Sequence, residues 1–364
     1  MAGALAVGAV VAGLSTHPIF REIAARYLGQ GAFGKIWKLA ALALALVNLK
    51  NIPGFWHLRV LRGIIYQIYF QPTVQLPKHL FAPMITSSYN TLYDCDYNIH
   101  KSNSTYFADL DVARAHYVGC LVRTGLARLN RGDEEGLSTD TKKTPGKYFV
   151  ALGAVSCFFQ RQIEPLQSFE VYTRILTWDR KWIYIISHIV RKGAIKPDSY
   201  VLQPWKKSKK SKKSNAGKDE PEEDLTKHIF ATSVARYVFK KGRLTINPEI
   251  VLERSRLTPR RPEGVGFPPR AEAASNGATP VVVGTPAENG TLSSPENVAT
   301  EVSSKLDSVA DMTNRAENAD DWTWDDMEKE RLRGLVLASH FDKLNDSHNE
   351  LRAGEVLGQY GDYF

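Results

Sequence analysis

Apolar and polar positions change their period twice along the chain. Tyr106, Leu110, Ala113, Tyr117 and Leu121 recur at steps of four, three, four and four, which predicts one long helix with a single buried stripe. Asp109 and Asp111 fall in its early turns, where the helix dipole favours anions. The period then shortens. Segments 149–163, 169–179, 181–191 and 228–242 are rich in β-branched and aromatic residues and predict strands, with Trp178 to Lys181 forming a tight hairpin turn. A run of strands after a single helix predicts an α+β fold, with antiparallel sheet wrapped around a long central helix. A βαβ array would alternate its elements instead.

The first 75 residues form an apolar and basic helical region. Residues 1–14 are rich in Ala and Gly and have no positively charged leader, so they predict no cleaved signal peptide. The apolar run from Leu39 to Val47 is nine residues long, too short to cross a bilayer alone. Residues 55–70 interleave five aromatics with Arg59 and Arg62, a composition suited to the headgroup interface. These features predict association with a membrane surface. The alternative is a pair of helices that only cover the next domain.

Charge sharpens this division. The chain has 364 residues, room for two or three domains, and a net charge of +8. Residues 1–70 carry +6 and the Lys/Ser run 206–213 another +6, so taking both away turns the balance to −4. Basicity this local predicts no nucleic-acid partner for the folded body. Within the main domain, 85–257, an insert at 205–226 pairs the Lys run with five acids and predicts a disordered loop. Residues 259–320 hold seven of the 18 prolines and one aromatic, Phe267, which predicts a disordered linker. Residues 321–355 predict a terminal amphipathic helix, with Leu337, Phe341, Leu344 and Leu351 on one face behind Trp322 and Trp324. Cys95, Cys120 and Cys157 are too scattered for a disulfide framework and predict free thiols.

The densest polar cluster spans 93–114, YDCDYNIHKSNSTYFADLDVAR, just before and within the long helix. A carboxylate at a helix N-terminus pairs usefully with the unpaired backbone N–H groups there: they polarise a carbonyl while it attacks or activates water. Asp96 is the candidate. Asp94, two residues earlier, either shares its face on a strand or stands in a turn. Ser102, Asn103, Ser104 and Thr105 are candidate N-caps. No His-Glu-x-x-His or Cys-x-x-Cys spacing occurs, so no metal is expected, and GQGAFG at 29–34 has the wrong spacing for a nucleotide loop. His188 and His228 are expected to be scaffold histidines.

The order Asp96, His100, Asn103, Tyr106 and Ala113-Arg114 resembles the signature of hotdog-fold thioesterases of the 4-hydroxybenzoyl-CoA thioesterase type. Residues 103–114 and 161–184, with the hydrophobic N-terminus, are most similar to the thioesterase superfamily member six family. The resemblance covers about 85–257. It implies a hotdog fold, paired protomers with sites at their interface, and hydrolysis of acyl-CoA or another acyl thioester without a bound cofactor. It also implies Asp96 as nucleophile or general base, with His100, Asn103, Ser104 and Tyr106 binding substrate. Backbone N–H groups near Asn103 would polarise the thioester carbonyl. A homodimer or higher homo-oligomer is expected, on a membrane facing the cytosol, with the endoplasmic reticulum as the organelle and the cytoplasm as the alternative.

Two positions depart from the signature. Ile99 stands where a Gly is usual, and Ser102 where an Asn is usual. Those departures keep open a catalytically weak, acyl-lipid-binding or scaffold protein. The stretch Asp96 to His100 also resembles the Asp-x-Asn-Pro-x-His motif of hotdog hydratases, but the spacing is one residue short and the Pro is absent. An adaptor built on the Lys run is a third reading.

Overall fold

The computed structural model describes residues 32–73, 75–206, 225–262 and 322–344, together with positions 18, 19, 22, 347 and 348. The insert's Lys-rich centre and nearly all of the 259–320 segment lie outside them. The long helix, here α3, runs Asn103–Asn130, after helices α1 (Ala32–Val47) and α2 (Phe55–Ile65). Every residue of the expected stripe, from Tyr106 to Leu121, is buried.

Strand β1 (Met84–Tyr89) precedes α3, and β2 (Tyr148–Phe159), β3 (Ser168–Trp178), β4 (Trp182–Arg191), β5 (Ile229–Lys241) and β6 (Leu244–Ile246) follow it. They form one antiparallel sheet in the order β1-β3-β4-β5-β2, with β6 on β5. Alternate residues of β3, among them Phe169, Val171 and Ile175, face α3 in two apolar clusters. The expected hairpin is present: Asp179 Oδ1 accepts from the N–H groups of Lys181 and Trp182, both at 2.6 Å. A bulge at Leu152/Ala154 bends β2, and Gly153 there lies against the Trp182 ring, where a Cβ would come within 2.4 Å.

The N-terminal helices are joined to the body at several places, among them ion pairs from Lys50 and Arg59 to Asp109 of α3. Gly63 of α2 lies against the His116 ring, and Arg123 of α3 donates to the carbonyls of Gln67, Gln71 and Thr73 at 2.7–2.9 Å. By contrast α1 is exposed at every position from 35 to 46, including Ile36, Trp37, Leu39, Leu42, Leu44 and Leu46. Among the described residues no helix is long and apolar enough to cross a membrane.

After the short helices α4 (Thr139–Lys143) and α5 (Pro248–Arg254), a sixth, α6 (Trp324–Lys343), crosses the outer sheet face. Its expected apolar face is corrected. Leu337 and Leu344 are exposed, Leu351 lies outside the described residues, and the buried side is Met327, Leu332, Gly334 and Ala338. Close approach selects this side: a Cβ on Gly334 would lie 2.2 Å from the Leu176 carbonyl, so the smallest residues, not the largest, meet the strand. Phe341 still packs beside Tyr184 and Ile186, while Trp322 and Trp324 reach the main core.

Candidate functional site at the start of the central helix

Between β1 and α3 the chain makes one turn of 3-10 helix, Leu92–Asp94, closed by reciprocal bonds between Thr91 and Asp94. Asp94 therefore ends a helical turn, which settles its position relative to Asp96. Cys95 and Lys101 then form an antiparallel bridge, and the residues between them fold into a tight loop. Asp96 N–H donates to the His100 carbonyl at 3.0 Å, and Ile99 N–H donates to the Asp96 carbonyl at 3.0 Å. Asp96 stands at the base of this loop, across from His100, which lies two residues before the N-cap Ser102 of α3.

The Asp96 side chain is 25% exposed. Its Oδ1 accepts from Asn98 N–H at 2.9 Å and lies 3.9 Å from His100 Nδ1. Ser102 is the N-cap residue, with extended backbone, and its hydroxyl bonds to that of Ser104 at 3.1 Å instead of capping. No acid occupies the first turn, so the unpaired N–H groups of α3 stay available to an acceptor from outside. Asn103 and Ser104 are exposed beside them. Tyr106 has a different setting. It is buried, its ring edge meets Phe159 of β2 at 5.0 Å, and burial raises its phenol well above the usual range.

Ile99 adopts φ +62° and is 71% exposed. This is the left-handed region, which costs a β-branched side chain on the order of 1–2 kcal/mol and costs Gly nothing. The loop thus keeps a glycine's backbone conformation at a position where the residue is no longer glycine.

Beneath the loop lies a charge cluster that the spacing of sequence motifs did not reveal. Lys101, fully buried, reaches Asp109 at 2.9 Å and Asp94 at 3.3 Å. Lys50, just after α1, reaches Asp94 at 2.6 Å and Asp109 at 3.0 Å, and Arg59 of α2 reaches Asp109 at 2.7 Å. Burial alone would raise Asp109, but Lys101, Lys50 and Arg59 more than offset it and hold the carboxyl well below the usual range. Asp94 is lowered in the same way, against its burial, by Lys101 and Lys50. The Asp94 carbonyl also accepts from Ser102 N–H at 2.7 Å, so the cluster sets both ends of the Asp96 loop. The only sequence trace was an odd one: a lysine between His100 and the cap, and an acid on the buried side of α3.

Cys95, Cys120 and Cys157 are free, and burial pushes Cys120 and Cys157 up to about 11, which leaves these two little thiolate at neutral pH. Among the described residues no group of His, Cys, Asp and Glu could hold a metal.

The sheet wrapped on a long helix, with a carboxylate loop at the helix start, defines a hotdog thioesterase-like fold. A family model described as the thioesterase-like superfamily matches residues 91–202, from the Thr91 turn past β4. The probable thioesterase atnL of Emericella nidulans is 30% identical over 344 residues, covering 89% of this chain and 92% of that protein. Thioesterase poxG of Penicillium oxalicum is 28% identical over 335 residues, covering 89% and 91%. Protein THEM6 of Xenopus laevis is 26% identical over 164 residues, covering 43% and 66%. The chain belongs to the thioesterase-like superfamily, and its reaction class is thioester hydrolysis.

Proposed function

We propose that the protein hydrolyses acyl-CoA or a related acyl thioester, with Asp96 as nucleophile or as the base that activates water. The observation that supports this reading is a part-exposed Asp96 in the loop that leads into α3, whose first turn holds no acid. The thioester carbonyl would accept from the first-turn N–H groups near Asn103. Each such donor can lower the barrier by about 3 kcal/mol. His100 lies within reach of Asp96 to orient it, and Asn103 and Ser104 offer polar side chains at the mouth. Tyr106 forms the apolar floor with Phe159. Thiol release from an acyl-CoA panel of short, long and aromatic chains tests the reading. Asp96→Asn should lower kcat at least about a hundredfold while acyl-CoA binding persists; equal turnover in the variant would refute it.

The active unit is proposed to be a homodimer joined through β2. Among the described residues, that strand pairs with β5 on one side only, is 12 residues long, and exposes Phe149, Leu152, Phe158 and Phe159. Its far end adjoins Tyr106, so a second protomer there would help enclose the site. Helices α1 and α2 are proposed to sit on a membrane surface. No acid occurs from residue 32 to 70, and from Leu39 to Val47 α1 is apolar on all sides, so one protein groove would cover only part of it. A cytosol-facing endoplasmic reticulum membrane is the proposed location, tested by imaging the full chain with organelle markers; staining confined to the soluble cytoplasm would exclude it.

Ile99 favours a second reading, a protein of weak turnover that chiefly binds acyl thioesters. Ile99→Gly removes the side chain from a left-handed backbone position at the loop. If the isoleucine suppresses catalysis, kcat should rise about tenfold or more, since a small shift of a reacting group costs a comparable factor. An unchanged kcat would acquit Ile99.

A further inference from the structure

The outer face of the sheet, opposite α3, holds a cavity of about 470 Å³ that contains no residue of the Asp96 loop. Its size is in the range of small-molecule sites. The lining is mostly apolar, including Val190, Ile195 and Ile229, and three polar side chains project from β3 and β4: Tyr172, Arg174 and His188.

Arg174 is the unusual member. A guanidinium in an apolar wall normally faces a carboxylate. Arg174 instead donates to the Ile175 carbonyl at 2.9 Å and has no ion pair among the described residues. The acid nearest in the lining, Glu330 of α6, is engaged by Arg333: Nε donates to one oxygen at 2.8 Å and Nη2 to the other. Arg174, Arg333 and Glu330 thus leave one positive charge uncompensated at the cavity wall. His188 adds a neutral imidazole, because burial and then Arg174 lower its pKa, and its Nδ1 is 3.1 Å from Thr232 Oγ1. The Tyr172 hydroxyl donates to the Ile195 carbonyl at 3.2 Å and also meets the Glu170 carboxylate, which lies outside the lining and accepts from Gly193 N–H.

We propose that this cavity binds a free acyl carboxylate, the head paired with Arg174 and the tail laid along Val190, Ile195 and Ile229. One spare positive charge matches a monoanion. Phosphate or the nucleotide of CoA would bring a second negative charge against Glu330. Thioester hydrolysis releases this class of molecule, and lipid pools contain it as well, so the site would be a second acyl site separate from the one that turns over. It depends on the reaction class and not on Asp96 being the catalytic group.

The experiment is titration calorimetry of the full chain with decanoate, with 1-decanol as the uncharged control. Arg174→Met should weaken decanoate at least about tenfold, the worth of one charge-assisted bond, and leave decanol unchanged. Glu330→Gln should tighten decanoate by removing a nearby negative charge, which keeps the test valid if Arg174→Met does not fold. Asp96→Asn should bind decanoate as the parent does. Equal binding of decanoate and decanol, or indifference to both cavity substitutions, would overturn the proposal. Loss of binding in Asp96→Asn would also overturn it by assigning the acid to the hydrolytic site. A second arm distinguishes the sources. Protein is given carboxyl-¹³C-labelled decanoyl-CoA beside phosphatidylcholine vesicles holding unlabelled decanoate, and then collected. Bound acid, labelled or unlabelled, supports the site and names its supplier; no bound acid from either overturns it.

Discussion

Lys101 bears on the Asp96 loop more than any other side chain that the sequence left unremarked. It is fully buried between Asp94 and Asp109, and its backbone N–H donates to the Ile163 carbonyl at 3.0 Å. Removing one partner from a buried ion cluster leaves charge uncompensated, at a cost of about 3–5 kcal/mol. Lys101→Met should therefore lower stability by about 3 kcal/mol, since Lys50 and Arg59 still neutralise part of the charge; denaturant unfolding at neutral pH measures it. The pH dependence has a definite sign. Asp94 and Asp109 are held below their unfolded values, so the stability they add is present above the ordinary carboxylate range, near pH 4, and is lost as pH falls below it. Unfolding midpoints from pH 6 to pH 2 should fall steeply in the parent and less steeply in Lys101→Met. Cluster members come from residues 50, 59, 94, 101 and 109, which no local period links. Asp96 and His100, by contrast, were legible because one short loop carries both.

Among the elements, α3 and the strands β2 to β5 followed from the pattern of the sequence, while β1 and β6 did not. Their apolar residues face one another, so the pattern that defines each element also defines its burial. Helix α6 did not follow. Its large residues suggested a face through Leu337 and Leu344, yet it turns Gly334 and Ala338 to the sheet. Hydrophobicity sets which residues gain from burial, while the depth of the surface sets which fit, and the depth belongs to β3 and β4. Helix α1 raises the opposite case, apolar on every side from Leu39 to Val47 and exposed from 35 to 46. Leu39→Lys, Leu42→Lys and Leu46→Lys together should abolish co-flotation of the full chain with anionic vesicles while the thermal melt of the body is kept. Retained flotation would remove α1 from the membrane reading.

At the level of the whole molecule, a long exposed edge such as β2 invites pairing with another chain. Leu152→Lys with Phe158→Lys should shift the protein to a monomer in light scattering and remove turnover together with dimerisation. A monomeric parent, or a monomeric variant with full activity, would dismiss the shared-site reading. Specific side-chain contacts join the parts. Arg123 holds three carbonyls of the segment after α2, and Thr177 Oγ1 donates to the Arg331 carbonyl of α6 at 2.6 Å. Those joints explain how a basic N-terminal region and a C-terminal helix, far apart in sequence, both rest on one helix-and-sheet body.

The sequence by itself determined the α+β class, the buried stripe of α3, the four segments that became β2 to β5 and the position of Asp96 before a helix, because each depends on neighbours within a few residues. The tertiary structure decided what distant residues do to one another: the left-handed backbone at Ile99, the joining of Lys50 and Arg59 to Asp109, the small face of α6 and the unpaired Arg174. Those depend on distances set by packing, and a linear pattern carries no such distances.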